Sequence, residues 1–438
     1  MVFSKLGLVT VFFLGFSTSV CAENTLADVF KKGQVKGELK AWYWDQTTDS
    51  TNVNIMNTAL ELGYVTDTFY GLKMGVTLQS NATPFAKTDA KEVYKYEQWA
   101  SGSTLSEAYL GYIMGKTEVK VGRQYINTPL IAGNYARIFK ESFEGASVIN
   151  KDISDTTVFA HYIQKTQGRT STVMGNTDGG APSFEKKALF AGVKNAVAVA
   201  FDDAYGLGII NKSITNLTLT AQYARARNVE LSNTATDDVD LYYTEMNYTY
   251  PLSGFKLGFD ANFRGSKTGG NLDYLNDEGH MLGGRIRVSD LNGFGISFAA
   301  ATTSKKDAVI QSIGLGGDSY TSVMIRGPFN TTPLANNDSY KIEMTYDFAK
   351  ANIPGLTFIG QYQWTDQGKM AVNAGTSVFG TSVDFTTYAA NLTYAIPYFK
   401  GFTTQLLYVM QEKELTNVSN VVTKTDTDEL WFKANYKF

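Results

Sequence analysis

The sequence predicts an all-β protein, a transmembrane antiparallel β-barrel of about eighteen strands with an inward-folded third loop. Three observations predict it. Apolar and polar residues alternate with period two along most of the chain. Short turns alternate with long polar loops, and the last strand ends on the aromatic residue Phe438. A closed barrel accounts for these features because lipid tolerates no open sheet edge.

The first 22 residues are typical of an export signal. Lys5 lies in a short positive segment, an apolar run too short to span a bilayer follows, and Val20-Cys21-Ala22 provides small residues at a cleavage site. We expect cleavage after Ala22, which leaves residues 23–438 as a single barrel domain. The alternative, a lipoprotein signal acylated at Cys21, would place a small residue directly before the cysteine, and valine fits that position poorly.

The composition excludes several classes of protein. No run of about 20 apolar residues follows the signal, so no membrane-spanning helix is predicted. The chain has 26 Tyr, 27 Phe and 40 Gly against 8 Pro and 2 His, which favours strands and disfavours imidazole catalysis. A net charge of -3 argues against a strongly basic nucleic-acid binder. The only cysteine would leave with the signal, so the mature chain needs no disulfide framework.

The alternation marks two faces on each strand. Across residues 255–264 the odd positions are Phe, Leu, Phe, Ala and Phe, and the even positions are Lys, Gly, Asp, Asn and Arg. Residues 35–41, 70–79 and 340–348 show the same alternation. A soluble β-sandwich also alternates, so this pattern alone does not decide whether the apolar face points inward or outward.

The connections favour the membrane barrel. Eight short turns alternate with nine long loops, which gives eighteen strands with both chain ends on the short-turn side. A sandwich has no reason to segregate its loops in this way, and eighteen strands leave an aqueous lumen. The long loops are predicted at 45–51, 81–103, 127–141, 166–186, 228–237, 266–277, 303–337, 365–381 and 413–425.

Strand parity predicts which charges line the lumen, because Arg or Lys facing mid-bilayer lipid costs about 2 to 4 kcal/mol. Arg225 and Arg227 share the parity of apolar neighbours and are predicted at the outer rim. The predicted lumen-lining residues are Lys120, Lys256, Asp260, Arg264, Arg285 and Arg287.

Residues 128–141 break the strand pattern with Pro129 and Gly133, and we expect them to fold inside the barrel as a constriction. For each charge there, a solvated position or a salt bridge that pins the loop to the wall is the alternative. The candidate cations are Arg137 and Lys140, and the candidate opposing carboxylates are Glu107, Glu141 and Glu144.

Arg123 is a further constriction candidate, and the sequence leaves open which face of its strand carries it. It shares parity with Val119 and Val121, so a regular strand would turn it outward. A bulge at Gly122 would turn it inward, and an exit above the lipid is the alternative.

Neither an enzyme nor a cofactor is predicted. His161 and His280 are far apart and accompanied by no cysteine, which disfavours zinc. No serine nucleophile elbow and no evident catalytic carboxylate pair occurs. The glycines of Leu315-Gly316-Gly317 are interpreted as loop flexibility and not as a phosphate cradle.

Several segments resemble the OprD-like family of outer-membrane porins. They are Lys120-Val121-Gly122, Pro129, Arg137-Ile138-Phe139, Gly145 and the turn Asn352-Ile353-Pro354-Gly355-Leu356-Thr357. Lys140-Glu141 departs from the family pattern, which has a proline followed by a neutral polar residue. The family pattern therefore does not transfer directly at the constriction.

The resemblance implies an 18-stranded channel, monomeric or homotrimeric, with basic side chains that lead small carboxylate-bearing solutes inward. It implies passive diffusion of small hydrophilic solutes through a Gram-negative outer membrane, with outer-membrane lipid around the barrel. Phe438 resembles the signal recognised by the barrel-assembly machinery. On this hypothesis Arg137→Ala or Lys140→Ala lowers anion preference. The alternative function is a surface adhesin or structural protein with the barrel as its anchor.

Overall fold

The computed structural model describes residues 25–193, 197–232, 234–324 and 331–438. The predicted signal, residues 1–22, lies outside these ranges. Helical structure is confined to α1 (Leu26–Lys31), α2 (Ala90–Tyr94) and the 3-10 turns Asp273–Leu275 and Phe348–Ala351 within the described residues. None of these helices is long and apolar enough to cross a bilayer.

Eighteen antiparallel strands form one closed barrel. The main sheet has nineteen strands, and one of these is a two-residue addition at Phe184–Glu185. Each barrel strand pairs with the next, and β1 pairs with β18. The strands are β1 Gln34–Thr48, β2 Thr51–Val65, β3 Leu72–Ala86, β4 Gly102–Met114, β5 Thr117–Gln124, β6 Ser142–Asn150, β7 Thr156–Gln167, β8 Asp203–Asn211, β9 Leu217–Ser232, β10 Ala235–Leu252, β11 Phe255–Thr268, β12 His280–Leu291, β13 Phe294–Thr303, β14 Asn337–Asp347, β15 Leu356–Gln367, β16 Ser382–Ala395, β17 Phe402–Thr416 and β18 Val422–Lys437.

Short strands also occur within the long loops. They are Lys187–Ala188, Phe190–Ala191, Val199–Ala200 and Ser312–Ile313. Phe190–Ala191 pairs with Ser312–Ile313, so the loop after β7 is joined to the loop after β13.

The barrel closes at the two chain ends. The register between β1 and β18 runs from Glu38 opposite Lys437 to Thr48 opposite Thr427. Gly37 and Phe438 then exchange backbone hydrogen bonds of 2.9 and 3.0 Å. A Cβ atom on Gly37 would overlap the Phe438 ring, so glycine leaves room there for the terminal aromatic side chain.

The predicted strand number is confirmed, and three of the predicted long loops need correction. The segment 45–51 is mostly strand, because β1 ends at 48 and β2 begins at 51. Likewise β9 ends at 232 and β10 begins at 235, and β17 ends at 416 and β18 begins at 422. These polar segments still pair across strands, since the ladder depends on backbone groups and continues beyond the apolar band.

The two faces of the wall differ in polarity. In a membrane barrel the apolar face meets lipid and the polar face meets water. Large apolar side chains lie exposed on the outward face, for example Leu39, Leu62, Leu110, Val121, Leu207, Phe259, Ile286 and Phe298. Buried polar side chains lie on the inward face, for example Asn57, Gln79, Gln222, Asn262, Lys341, Gln363 and Gln411.

Candidate channel lumen

The segment between β5 and β6, here called loop 125–141, is held to the barrel wall by hydrogen bonds between its backbone and wall side chains. Leu130 is fully buried, and its N–H donates to Gln222 Oε1 on β9 at 2.9 Å. Arg264 on β11 donates from Nη1 to the carbonyl of Pro129 at 2.9 Å. Arg264 therefore supports the loop, besides facing inward as its parity predicts.

Arg137 contacts the opposite wall. Its Cζ lies 5.4 Å from the Trp44 ring centroid on β1 and 5.1 Å from that of Trp431 on β18. Its Nε donates to Glu97, and the residue is 1% exposed. Strands β9 and β18 are nine apart in a ring of eighteen, so loop 125–141 contacts walls separated by half the circumference.

Lys140 and its backbone bind other strands. Its Nζ lies 2.6 Å from Glu61 Oε2 on β2, and its N–H donates to Gln79 Oε1 on β3 at 2.8 Å. Gln167 on β7 donates to the Lys140 carbonyl at 2.9 Å. These contacts correspond to the alternative in which a loop charge is tied to the wall.

Glu141 joins loop 125–141 to the loop after β13. Its Oε2 accepts the N–H groups of Asn134 at 2.7 Å and of Leu315 at 2.9 Å. Ile313 exchanges backbone hydrogen bonds with Leu130 and Ala132, each 2.9 Å long. Burial raises the pKa of the Glu141 carboxyl above its ordinary value, and the positive charge of Arg169 and the two backbone N–H donors oppose this.

Gly316 lies where these two loops touch, which corrects its interpretation as flexible. A Cβ atom there would lie 2.6 Å from the carbonyl oxygen of Gly133. Gly314 nearby has φ +85°, and a Cβ atom on it would overlap the carbonyl oxygen of Ala132. Both glycines therefore permit a close approach between two backbones.

A cavity of about 600 Å³ lies between loop 125–141 and the wall formed by β10 to β15. On the loop side it is lined by Asn134, Tyr135 and Ala136. The charged residues that line its wall side are Glu245, Arg285, Lys341 and Glu343, and Asp318 of the loop after β13 adds a further carboxylate.

The charged side chains of this cavity form ion pairs or hydrogen bonds with neighbouring residues, and they still line the open volume. Arg285 Nε lies 2.9 Å from Asp260 Oδ2, and its Cζ lies 4.6 Å from the Tyr320 ring centroid. Tyr320 donates its hydroxyl to Glu245 Oε1 at 2.6 Å. Lys341 Nζ donates to the Ser322 carbonyl at 2.8 Å. Cations and carboxylates thus share one cavity.

Of the other predicted lumen-lining residues, one lies in a cluster with Arg285 and another lies near a short turn. Arg287 joins Arg285 on the same Asp260 carboxylate, at 3.0 Å. Lys256 instead pairs with Asp290 at 2.8 Å beside a short turn, where both side chains are more than half exposed.

Two candidates lie on the wall formed by β3 to β5. Lys120 lies 4.6 Å above the ring of Tyr109 and 3.6 Å from Glu118. Glu107 accepts the Thr77 hydroxyl at 2.7 Å. Neither residue lines the cavity beside loop 125–141.

Arg123 lies on the outward face. The register of β5 with β4 runs through Gly122 without a shift, so no bulge turns Arg123 inward. Arg123 Nε lies 3.0 Å from Glu144 Oε2, and Lys165 lies 3.1 Å from the same carboxylate. The constriction candidates Arg123 and Glu144 are thus corrected to an outer position, as the alternative of an exit above the lipid predicts.

Most of the residues that line the cavity were not among the sequence candidates, and four of them show why. Lys341 and Glu343 lie on the polar face of an alternating strand, so strand parity already indicates their inward position. Glu245 has the same kind of signal on β10. Tyr320 belongs to a long loop, where no periodicity indicates which side chains meet the lumen.

Comparisons with known proteins agree with this architecture. The model of the family described as "outer membrane porin, OprD family" matches residues 97–436. No curated protein matches the chain. Acinetobacter baumannii OccAB2 superposes with a TM-score of 0.75 at 16% identity, covering 94% of this chain and 98% of that one. Pseudomonas aeruginosa OpdQ gives 0.70 at 16% identity, covering 94% and 99%. With a family match over most of its length and a closed barrel around a polar lumen, the chain belongs to the OprD family of outer membrane porins.

Proposed function

We propose that this outer-membrane channel passes small hydrophilic solutes that carry a carboxylate, and that loop 125–141 narrows its lumen. The contacts of the loop with β9 and β18 support the constriction, because a segment held at opposite walls leaves less room for solutes.

The cavity beside the loop supports the proposed class of solute. Arg285 and Lys341 line about 600 Å³ together with Glu245 and Glu343. In a narrow lumen with low-dielectric walls, fixed charges act over the full width of the path. A carboxylate would approach the two cations, and the wall carboxylates would orient the rest of the solute.

Ion selectivity in planar bilayers tests this assignment. Arg285→Gln and Lys341→Gln each remove one cation from the cavity, and we expect the reversal potential in a KCl gradient to move toward cation preference. Arg123→Gln is the matched control, because it removes an arginine from the outward face. Unchanged reversal potentials for both cavity variants would contradict the assignment.

Liposome swelling tests the solute class. We expect monocarboxylates to enter faster than neutral solutes of equal size, and we expect Lys341→Gln to reduce that difference. Equal rates for charged and neutral solutes would indicate a general diffusion pore. A complete lack of stable openings would favour the adhesin alternative.

Export and assembly complete the proposal. We assign residues 1–22 as a signal cleaved after Ala22, which N-terminal sequencing of the mature protein would test. The barrel-assembly machinery would recognise the C-terminal strand through Phe438, which is half exposed. Light scattering in detergent would distinguish a monomer from a homotrimer.

A further inference from the structure

Five cations lie on the outward face of the barrel near the ends of strands that lead into long loops. They are Arg123, Lys165, Arg225, Arg227 and Lys267, and together they are called the basic rim. Arg123 shares its face with Val121, which is 58% exposed, and Arg225 shares its face with Leu219, which is 40% exposed. The basic rim therefore points away from the lumen.

The neighbouring side chains indicate how deep the basic rim lies in the membrane. Tyr162, Tyr205 and Arg225 stand opposite one another on β7, β8 and β9, and the two tyrosines are 40% and 38% exposed. Leu207, 59% exposed, follows Tyr205 on the same face, further from the long loops. Aromatic residues mark the membrane–water interface of such barrels. The charges therefore lie at the level of the lipid head groups.

The carboxylates near the basic rim do not outnumber its cations. Glu144 accepts both Arg123 at 3.0 Å and Lys165 at 3.1 Å. Asp240 binds two nitrogens of Arg225, at 2.5 and 2.6 Å, and stands opposite Lys267 in the register.

Asp203 holds Arg227, whose side chain remains 51% exposed, and Asp238 lies 3.8 Å from Arg225. Asp202 also lies near Arg227, so the five cations face five carboxylates in all. The carboxylate on β6 is shared between two cations, so the excess of positive charge lies at that end of the rim.

The opposite side of the barrel has the reverse charge at the corresponding strand ends. Asp338, Asp366, Asp384 and Glu414 stand opposite one another on β14 to β17, and Glu412 stands opposite Asp426. Lys424 is paired with Glu414. Six carboxylates accompanied by this lysine form an acidic rim, which an anionic lipid head group would avoid.

We propose that the basic rim binds phosphate-bearing head groups of the lipid in the outer leaflet. Arginine forks and lysine ammonium groups are suited to phosphate, and the carboxylates that hold the arginines fix their orientation toward the membrane. Charge complementarity selects the basic rim over the acidic rim. This surface lies outside the lumen, so the proposal does not depend on which solute the channel passes.

Titration of the detergent-solubilised protein with diphosphorylated lipid A, in the presence of EDTA, tests the proposal. The main variant combines Arg225→Gln, Asp240→Asn, Arg227→Gln and Asp203→Asn. It replaces two ion pairs by amide pairs and leaves the net charge unchanged. We expect its affinity for lipid A to fall about tenfold, which corresponds to about 1.4 kcal/mol.

A second variant and a control keep the test decisive. If the fourfold variant lacks the heat-dependent gel shift of a folded barrel, Arg123→Gln with Glu144→Gln and Lys165→Gln tests the other end of the rim. Asp366→Asn with Asp384→Asn alters only the acidic rim, and we expect it to retain full affinity.

Several results would overturn the proposal. Wild-type affinity in both folded basic-rim variants would do so, as would equal binding of dephosphorylated lipid A. Displacement of lipid A by inorganic phosphate at the same concentration would indicate a small-anion site. A change in oligomeric state without a change in lipid A binding would indicate an interface between two copies of the chain.

Discussion

Two arginines, one in loop 125–141 and one on β12, have different surroundings. Arg137 is 1% exposed and packs between Trp44 and Trp431, whereas the side chain of Arg285 is 29% exposed and lines the cavity beside loop 125–141. The first arginine holds a loop in place, and the second faces the space that a solute would occupy. A charge in loop 125–141 is therefore not automatically a charge that selects solutes.

The largest effect is expected for Arg137→Ala. Removing one partner of a buried ion pair costs up to about 3 to 5 kcal/mol, and the cost is reduced here because Glu97 keeps Arg169 as a partner. The variant would also remove one of the two cations over the Trp44–Trp431 pair and leave Lys433 there. We expect loop 125–141 to leave the wall near β1 and β18. Single-channel recordings should then show a higher conductance and more open-channel noise.

Arg137→Lys is the control for this change. It keeps the charge and loses the planar fork, so we expect an intermediate noise level. A shift in reversal potential with unchanged conductance in Arg137→Ala would contradict a purely positioning role and restore Arg137 as a selectivity residue.

A smaller effect is expected for Gly316→Ala. The added Cβ atom would meet the Gly133 carbonyl, and overpacking of this kind typically costs about 1 to 3 kcal/mol. We expect faster hydrogen exchange in residues 130–134 and 312–317, because the two loops would separate. Gly254→Ala is the control, because a Cβ atom there would meet no other atom within 4 Å, although its φ of +92° adds some local strain. Unchanged exchange in Gly316→Ala would contradict the close-packing role.

Lys140→Ala is expected to have a still smaller effect. Its ion pair with Glu61 is partly exposed, and such pairs contribute about 1 kcal/mol or less. The backbone of residue 140 would keep its hydrogen bonds to Gln79 and Gln167. Conductance should stay close to wild type, and a large rise would show that the lysine side chain holds the loop.

The smallest effect concerns the contact between two long loops at Asp277. Burial raises the pKa of this carboxyl to about 7; the Gly375 N–H opposes the rise and Asp307 adds to it. Since the folded pKa lies above the unfolded value, the protonated form stabilises the loop junction at low pH, and this stabilisation is lost as pH rises through about 7.

Asp277→Asn should remove that dependence. We expect hydrogen exchange in residues 370–377, corrected for intrinsic rates, to rise between pH 5 and pH 8 in wild type and to stay level in the variant. Equal pH dependence in both proteins would exclude Asp277 as its source.

Much of the fold was predictable from local pattern. Strand number followed from counting turns and loops, because each turn reverses one strand of an antiparallel barrel. Parity also identified the inward positions of Asp260, Arg285 and Arg287, which meet in one cluster. Strand ends were less predictable, since polar residues continue to pair beyond the apolar band.

The constriction candidates show where local pattern fails. Arg137 contacts Trp44 and Trp431, residues from opposite ends of the chain that become neighbours only when β1 pairs with β18. Tyr320 meets Glu245 through a long loop without periodicity. Neither contact leaves a signal in the residues around it.

The sequence by itself determined the barrel, its strand count and the face on which most strand charges lie, because a two-residue period and turn spacing are local properties. Only the tertiary structure decided the role of residues 105–145. It turned Arg123 outward, buried Arg137 between tryptophans and directed Arg285 and Lys341 at the cavity. The reason is physical: the position of a loop charge depends on partners brought close by ring closure, and sequence spacing does not encode those distances.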